Sequence, residues 1–220
     1  MAAKPRGYYA VGVDMDGVLV DFITPYAKLL KVGYPSLPEE AYTNPKTYNW
    51  DTRAGVPKDV INAVWESIKE TRDFWVKLKF IPGKVELHDL YTLAEATPVY
   101  VITSRPDGYD YSITSATSEC LDNKNLPNLS VVCSDKKELL VEPLGLRFFI
   151  DDKIENVTKV SEKMTELYED TCVCALLDAA YNQGPLPEGI QRVNSLGEFL
   201  DLIYAVLQND GDVEEVKEEE

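Results

Sequence analysis

Acidic, hydroxyl and lysine side chains follow four apolar segments of the chain, at the points where those segments end. The groups are Asp14 with Asp16, Thr103 with Ser104, Lys136 or Lys137, and Asp151 with Asp152. Four carboxylates that converge on one crevice repel each other strongly in a medium of low dielectric constant. A hard divalent cation relieves that repulsion, and an all-oxygen site with few ligands suits Mg²⁺ with several bound waters. A cation, a hydroxyl group and a lysine around a free carboxylate meet the requirements of phosphoryl transfer: a nucleophile, charge neutralisation and positioning.

Five short apolar runs predict the strands that position these groups. The runs are residues 8–14, 99–103, 129–133, 147–151 and 172–178. Near-continuous apolar runs of this length are typical of parallel strands that are buried on both faces. Amphipathic segments lie between or after them, at residues 83–97, 114–123, 136–144, 155–167 and 195–208. This alternation predicts a doubly wound α/β domain, in which the loops at the carboxyl ends of the strands form the ligand crevice.

Residues from about 22 to 80 interrupt the alternation. They contain helical patterns, several prolines and many aromatic side chains, but no run typical of a buried strand. We interpret this segment as a mostly helical cap inserted after the first strand. The expected organisation is a phosphatase-like core of residues 1–21 and 81–209, a cap of residues 22–80, and an acidic disordered tail of residues 210–220.

The composition excludes several classes of function. The formal net charge of −16 disfavours binding of polymeric nucleic acid, which requires a basic surface. His88 is the single histidine and cannot build a zinc hydrolase site, so any catalysis must use carboxylates, hydroxyls and lysines. No apolar run approaches the roughly 18 residues needed to span a bilayer, so no membrane association is expected. The four cysteines lack paired CxxC spacing, and the N-terminus lacks an apolar signal core; together these favour reduced thiols and a cytoplasmic location.

The segment Asp14-Met15-Asp16-Gly17-Val18-Leu19-Val20-Asp21 resembles the first motif of the haloacid dehalogenase superfamily. Phosphatases of that superfamily use an Asp-x-Asp pair that follows a strand. Thr103 ends a strand as in the second motif, Lys136 fits the third, and Asp151-Asp152 fits the fourth. A lone Asp-x-Asp is a weak signal, but four motifs in the right order are a strong one.

Much of the chain is also similar to the 5′(3′)-deoxyribonucleotidases. The similar segments are residues 14–19 with 21–22, 64–67, 80–83, 102–104, 135–136, 149–152 and 181–183. This resemblance implies a Rossmann-like parallel sheet of about five strands flanked by helices, with a small helical cap inserted after the first motif. It also implies Mg²⁺ as the cofactor and a nucleoside monophosphate as the small-molecule substrate.

The resemblance assigns a role to each motif residue. Asp14 attacks phosphorus and forms an aspartyl-phosphate, while Asp16 protonates the leaving alcohol and later deprotonates the hydrolytic water. Thr103 and Lys136 hold the phosphoryl oxygens, with the adjacent Lys137 as the alternative lysine. The implied metal ligands are the carboxylates of Asp14 and Asp151, the backbone carbonyl of Asp16, and Asp152 either directly or through water.

Candidate substrate contacts come from the second motif and from the cap. Ser104 follows the threonine, and Arg105 stands where the nucleotidases usually have proline; Arg105 either reaches a phosphate or sugar as a fork donor or lies on the surface. Phe22 matches a base-stacking position of the family, and Tyr48 and Trp50 fall near its other aromatic positions. Such flat side chains stack on a nucleobase or pack the interior of a small cap. Three further cap aromatics are expected to serve packing alone: Trp65, Phe74 and Trp75.

Several alternatives stay open at this point. The chain could hydrolyse another small phosphorylated metabolite, or the 3′-phosphate of a nucleic-acid end, although the acidic charge disfavours the latter. It could also be a non-catalytic binding protein on the same fold, since a fold does not fix a function. The sequence leaves open which of Asp151 and Asp152 is the direct metal ligand. It also leaves open the oligomeric state, with a homodimer as one option.

Overall fold

A parallel sheet lies at the centre of the computed structural model, which describes residues 9–43, 55–168 and 172–209. Its strands are β1 (Ala10–Asp14), β4 (Val99–Thr103), β5 (Ser130–Cys133), β6 (Leu146–Asp151), β7 (Val173–Leu177) and β8 (Ile190–Val193). They are ordered β5-β4-β1-β6-β7-β8, and every neighbouring pair is parallel. The sequence-based prediction of a parallel α/β sheet is therefore confirmed.

The sheet has one strand more than the five that the apolar runs indicated. The apolar runs did not predict β8, because only Ile190 and Val193 are buried in it, whereas Gln191 is exposed and Arg192 is half-buried. The strand β5 was expected to be buried on both faces, yet its residues are exposed or half-buried. Both strands lie at the edges of the sheet, where one side has no neighbouring strand to cover it.

Helices cover both faces of the sheet. They are α4 (Lys84–Ala96), α5 (Ile113–Asp122), α6 (Val141–Leu144), α7 (Ile154–Leu167) and α8 (Leu196–Asn209), with a 3₁₀ turn at Lys137–Leu140 before α6. Side chains alternate between the faces along each strand, so Phe148 joins the apolar cluster on one side and Phe149 the cluster on the other. Both phenylalanines are fully buried, so the strand that carries Asp151 is packed on both faces.

A two-stranded antiparallel ribbon connects the sheet to the helices that follow β1. β2 (Val20–Asp21) pairs with β3 (Lys79–Phe80). The described residues between these two strands form α1 (Ile23–Gly33), a 3₁₀ turn (Glu39–Ala41), α2 (Lys58–Glu70) and α3 (Arg72–Val76). The ribbon brings both ends of this helical segment to the carboxyl edge of the sheet. The boundaries of the cap at residues 22 and 80 stay a prediction.

Two of the sequence-based expectations concern residues outside the described part of the chain. Tyr48 and Trp50 lie there, and so does the acidic tail of residues 210–220. Among the described residues, no helix is long and apolar enough to cross a membrane. His88 is exposed on α4.

Candidate active site

The predicted motif residues meet at one edge of the sheet because β1 lies between β4 and β6. Asp14 is the last residue of β1, Thr103 the last of β4, and Asp151 the last of β6. All three strands run in the same direction, so their ends are adjacent. This arrangement gathers side chains that are far apart in sequence, as expected for the carboxyl edge of an open α/β sheet.

Three buried carboxylates form the centre of the site. One oxygen each of Asp14, Asp151 and Asp152 lie within 4.8 Å of one another. Burial raises the pKa of Asp14 to about 7, and the neighbouring Asp151 adds to the shift while Lys137 opposes it. Burial, together with the charges of Asp151 and Asp14, also raises the pKa of Asp152 well above its usual range. An all-oxygen set of buried carboxylates that resist ionisation fits a hard divalent cation such as Mg²⁺.

Lys137 is the lysine that reaches this centre. Its buried ammonium group donates a hydrogen bond to Asp14 Oδ1 and another to Asp151 Oδ2 at 2.7 Å. Burial alone would lower the pKa of Lys137, but the two carboxylates outweigh burial and raise it, so the group stays charged. The assignment of this position to Lys136 is wrong, because that residue is exposed.

The difference between the two lysines follows from the local backbone. The 3₁₀ turn begins at Lys137, and successive side chains on such a turn point about 120° apart. Only one of two adjacent lysines can therefore face the sheet. The Lys136 N–H group donates to Ser134 Oγ at 3.1 Å, which fixes the start of the turn. Motif order in the sequence does not carry this rotational information.

Asp16 is held by a second buried cation, Arg105. The Arg105 Nε atom lies 2.7 Å from Asp16 Oδ2, and its Nη2 atom lies 2.7 Å from Asp16 Oδ1. Thr103 Oγ1 donates to Asp16 Oδ2 over a longer distance of 3.4 Å. Burial would lower the pKa of Arg105, but Asp16 raises it, so the guanidinium stays charged. The interpretation of Arg105 as a surface residue is wrong, since its side chain is only 1% exposed.

The formal charges of the motif carboxylates and of the cations paired with them do not cancel. The first and fourth motifs contribute four carboxylates, from Asp14-x-Asp16 and Asp151-Asp152, and two buried cations, Lys137 and Arg105, are paired with three of them. With all four carboxyl groups ionised, the formal charges of these six groups sum to a surplus of two negative charges. One divalent cation would neutralise that surplus, and the cluster of three buried carboxylates suits the same kind of ion.

The loop after β7 supports Asp152, a relationship that sequence reasoning missed. The Tyr181 hydroxyl donates to the Asp152 carboxylate. The buried Asn182 side chain donates to the backbone carbonyls of Asp152 at 2.8 Å and Leu177 at 2.7 Å. The only signal in the sequence was that Tyr181-Asn182-Gln183 resembles the nucleotidases, without an assigned role. In proteins that bind metal ions, hydrogen bonds of this kind orient the side chains that serve as metal ligands.

Gly17 allows the first motif to approach this acidic centre closely. It has a φ of +94°, and a Cβ atom at this position would lie 2.1 Å from Asp152 Oδ2. A side chain would therefore be strained by the backbone and would collide with the carboxylate. The glycine of the Asp-x-Asp-Gly motif is thus required by the position of Asp152.

A cavity of about 430 Å³ opens above the carboxylates. Its floor includes Asp14, Asp16 and Thr103, and Ser104 also lines it, although the Ser104 hydroxyl already donates to the Ser134 carbonyl at 3.2 Å. The structure thus brings together the described residues that the sequence predicted for the site, with Lys137 in place of Lys136.

Aromatic side chains form the opposite wall of the cavity. Phe22 is half-buried there and stacks on Trp65, with ring centroids 5.6 Å apart, and on Trp75, with centroids 5.8 Å apart. Tyr26 completes the wall. Trp65 and Trp75 were expected to serve cap packing alone, but they also line the cavity. A pocket with carboxylates and cations at one end and flat apolar rings at the other suits an anion that carries a planar group.

Comparisons with known proteins agree with the geometry. Residues 8–208 match the family described as 5′ nucleotidase, deoxy (pyrimidine), cytosolic type C protein. A curated mouse protein, the mitochondrial 5′(3′)-deoxyribonucleotidase, is 30% identical over 92 residues. That match spans 42% of this chain and 42% of the length of the mouse protein.

Solved structures of low sequence identity share the fold. A candidate β-phosphoglucomutase from Thermotoga maritima superimposes with a TM-score of 0.56 and 20% identity, over 90% of this chain and 100% of that one. A HAD-superfamily hydrolase of subfamily IA from Geobacter sulfurreducens gives 0.53 and 18%, over 89% and 99%. L-2-haloacid dehalogenase from Xanthobacter autotrophicus gives 0.53 and 13%, over 90% and 98%. These likenesses show that the chain shares the Rossmann-like fold of these proteins.

Proposed function

The chain belongs to the 5′ nucleotidase, deoxy (pyrimidine), cytosolic type C protein family, and we propose that it is a Mg²⁺-dependent phosphomonoester hydrolase acting on (deoxy)nucleoside monophosphates. The observation that carries the proposal is the position of Asp14. This carboxylate ends the central strand, faces the cavity, lies beside two further buried carboxylates and accepts a hydrogen bond from the buried ammonium of Lys137. A buried nucleophile paired with a fixed cation has no evident packing role and suits attack on a phosphate.

The metal would be held by the carboxylates of Asp14, Asp151 and Asp152 and by the backbone carbonyl of Asp16. When bound, Mg²⁺ supplies positive charge that offsets the phosphate and the carboxylates during transfer. The protein already fixes these ligands: Asp151 accepts hydrogen bonds from the Lys153 N–H at 2.8 Å and from the Asn156 amide at 3.0 Å. The preorganised ligands support the proposal of a dedicated metal site.

In the first step, a carboxylate oxygen of Asp14 forms a bond to phosphorus and the bond between phosphorus and the ester oxygen breaks. Asp16 donates a proton to that oxygen, and the alcohol leaves. Lys137 and the Thr103 hydroxyl lie at the same end of the cavity and would hold the phosphoryl oxygens. The product of this step is an aspartyl-phosphate on Asp14.

In the second step, Asp16 removes a proton from water, and the water oxygen forms a bond to phosphorus. The bond between phosphorus and the Asp14 oxygen breaks, which releases orthophosphate and restores both carboxyl groups to their starting states. One residue thus serves as acid and then as base, and the cycle consumes one water for each ester.

The aromatic wall supports a nucleotide over a sugar phosphate. Phe22, Trp65 and Tyr26 present ring surfaces, and base–aromatic stacking is worth about 1–3 kcal/mol per base. A cap that covers such a cavity also excludes water from the reaction. Tyr48 and Trp50 stay predictions as further stacking residues, because they lie outside the described part of the chain.

A panel of esters tests the proposal directly. Phosphate release from nucleoside monophosphates, sugar phosphates and 3′-phosphorylated oligonucleotides is measured with Mg²⁺, with EDTA, and for the Asp14→Asn variant. We expect nucleoside monophosphates to be hydrolysed fastest, and activity to disappear on chelation and in the variant. A preference for sugar phosphates or oligonucleotide ends would favour the alternative phosphatases, and no hydrolysis of any ester would favour a binding protein.

A cytoplasmic location and the state of assembly are further parts of the proposal. The four cysteines are all free in the structure, which fits a reducing compartment. The curated mouse relative is described as mitochondrial, so fractionation of cells that express the tagged full chain is the test. Light scattering of the purified chain distinguishes a monomer from a homodimer.

A further inference from the structure

Every nitrogen of the Arg105 guanidinium group donates a hydrogen bond to another side chain of the protein. Two of its nitrogens, Nε and Nη2, bind the two oxygens of Asp16, each at 2.7 Å. The third, Nη1, donates to the Thr117 hydroxyl at 3.0 Å. The guanidinium carbon lies 4.8 Å from the centre of the Trp75 ring. A side chain that is 1% exposed and bonded at every nitrogen has little freedom to move.

We propose that Arg105 is a positioning residue that fixes the Asp16 carboxylate for proton transfer, and that Thr117 and Trp75 hold Arg105 in place. The inference rests on the proposed function, since it assumes that Asp16 is the acid and base. Two parallel hydrogen bonds from a planar fork define both the plane and the direction of a carboxylate, which a single bond cannot do. The remaining contact, from Thr103 at 3.4 Å, is too long to define the orientation by itself.

The elements that hold Arg105 come from both sides of the cavity. Thr117 lies on α5, next to the sheet, and Trp75 lies on α3, in the helical segment between the ribbon strands. The two helices pack against each other and are also joined by an ion pair between Arg72 and Glu119 at 2.5 Å. Side chains from two different helices therefore hold Arg105 in place.

A direct role for Arg105 in binding the phosphate is the main alternative. That role would require the buried guanidinium to leave Asp16, and the half-buried carboxylate would lose both of its short hydrogen bonds. Breaking an ion pair that involves a buried cation is costly, and Arg105 forms the ion pair that holds Asp16. The geometry therefore favours positioning over phosphate binding.

The test compares two esters that differ in the leaving group alone. Phenyl phosphate has a poor leaving group and needs a proton from Asp16, whereas 4-nitrophenyl phosphate has a good one and needs it far less. With the full chain and Mg²⁺, we expect Arg105→Lys to lower kcat/KM about 100-fold for phenyl phosphate and less than about 10-fold for 4-nitrophenyl phosphate. Inhibition by inorganic phosphate should keep the same constant within about two-fold, because Arg105 does not bind phosphate.

A second variant and a matched control complete the experiment. Thr117→Val removes one bond to Arg105 without touching Asp16, and we expect the same selective loss, about 3- to 10-fold, even if Arg105→Lys folds poorly. Arg72→Met removes the ion pair with Glu119 that joins α3 and α5, and we expect less than about two-fold change with either ester because Arg72 is paired with Glu119 and not with Asp16.

The outcomes separate the inference from the function on which it rests. Equal losses for both esters in Arg105→Lys and Thr117→Val would overturn the positioning role while leaving the phosphatase intact. A large rise in the inhibition constant of phosphate would overturn it in favour of phosphate binding. If the wild-type chain hydrolysed neither ester nor any nucleotide, the proposed function would fail, and the inference with it.

Discussion

The Lys137 Nζ atom lies 2.7 Å from the Asp151 Oδ2 atom, so a cation from the loop after β5 is bonded to a carboxylate at the end of β6. The same ammonium group also donates to Asp14 at the end of β1. One lysine thus joins the carboxylates of two adjacent strands. It holds the proposed nucleophile in position and offsets part of the negative charge that surrounds it.

Replacement of this lysine should abolish catalysis, whereas replacement of its neighbour should not. We expect Lys137→Met to lower kcat/KM for a nucleoside monophosphate by at least about 100-fold, because a buried charge that stabilises the transferred phosphate is lost. Lys136→Met is the matched control, since this side chain is exposed, and should keep activity within about two-fold. The reverse pattern would restore Lys136 as the lysine of the third motif.

Asp14→Asn should stabilise the metal-free protein, and more strongly at high pH. Asp14 has a pKa of about 7 in the fold against 3.8 ordinarily, so between these values the folded state binds a proton that the unfolded state lacks. The free energy of unfolding of the wild-type chain therefore falls as pH rises through that window, because ionisation of Asp14 is less favourable in the folded state than in the unfolded state. The amide of the variant does not ionise in this range. The difference in free energy of unfolding between the variant and the wild type should therefore grow by on the order of 2 kcal/mol between pH 5 and pH 8.

Urea unfolding in EDTA at the two pH values measures this difference. Asp135→Asn provides the control, because Asp135 is an exposed carboxylate at the mouth of the same cavity. Its effect on the free energy of unfolding should be small and the same at both pH values. An advantage of Asp14→Asn that does not change with pH would contradict the assignment of a buried carboxylate with a raised pKa to this position.

Phe22→Ala should separate nucleotides from phosphates that carry no base. The ring lines the cavity and stacks on two tryptophans, so its loss removes a flat surface near the substrate. We expect a loss of about 1–3 kcal/mol in kcat/KM for a nucleoside monophosphate and little change for a small alkyl phosphate. Comparison of the two substrates cancels general damage to the fold. Equal losses would remove the stacking role and weaken the argument for a nucleotide substrate.

Tyr181→Phe should weaken metal binding without unfolding the protein. The lost hydroxyl donates to the Asp152 carboxylate, and removal of such supporting groups commonly costs 10- to 100-fold in metal affinity. Titration with Mg²⁺, followed by calorimetry and by thermal stability, measures the change independently of turnover. Tyr109→Phe removes an exposed hydroxyl that bonds Glu66 and serves as control. Unchanged affinity in Tyr181→Phe would exclude Asp152 as a ligand that this hydroxyl orients.

Local patterns in the sequence were sufficient for five of the six strands of the described parallel sheet and for most of the site. The runs that end in Asp14, Thr103 and Asp151 are apolar enough to be buried strands, and parallel strands bring their carboxyl ends to one edge. The positions of these three residues follow from that rule alone. The edge strand β8 did not follow, because it has only two buried residues and its pattern resembles a loop.

The sequence by itself determined which chemical groups meet at the edge of the sheet, because strand ends are set by local apolar patterns. Only the tertiary structure decided how those groups are paired. The choice of Lys137 over Lys136 depends on the rotation of a 3₁₀ turn, and the pairing of Arg105 with Asp16 depends on a pocket formed by α3 and α5. Burial of an arginine is favourable only where a carboxylate and further partners are already in place, and these partners come from distant parts of the chain.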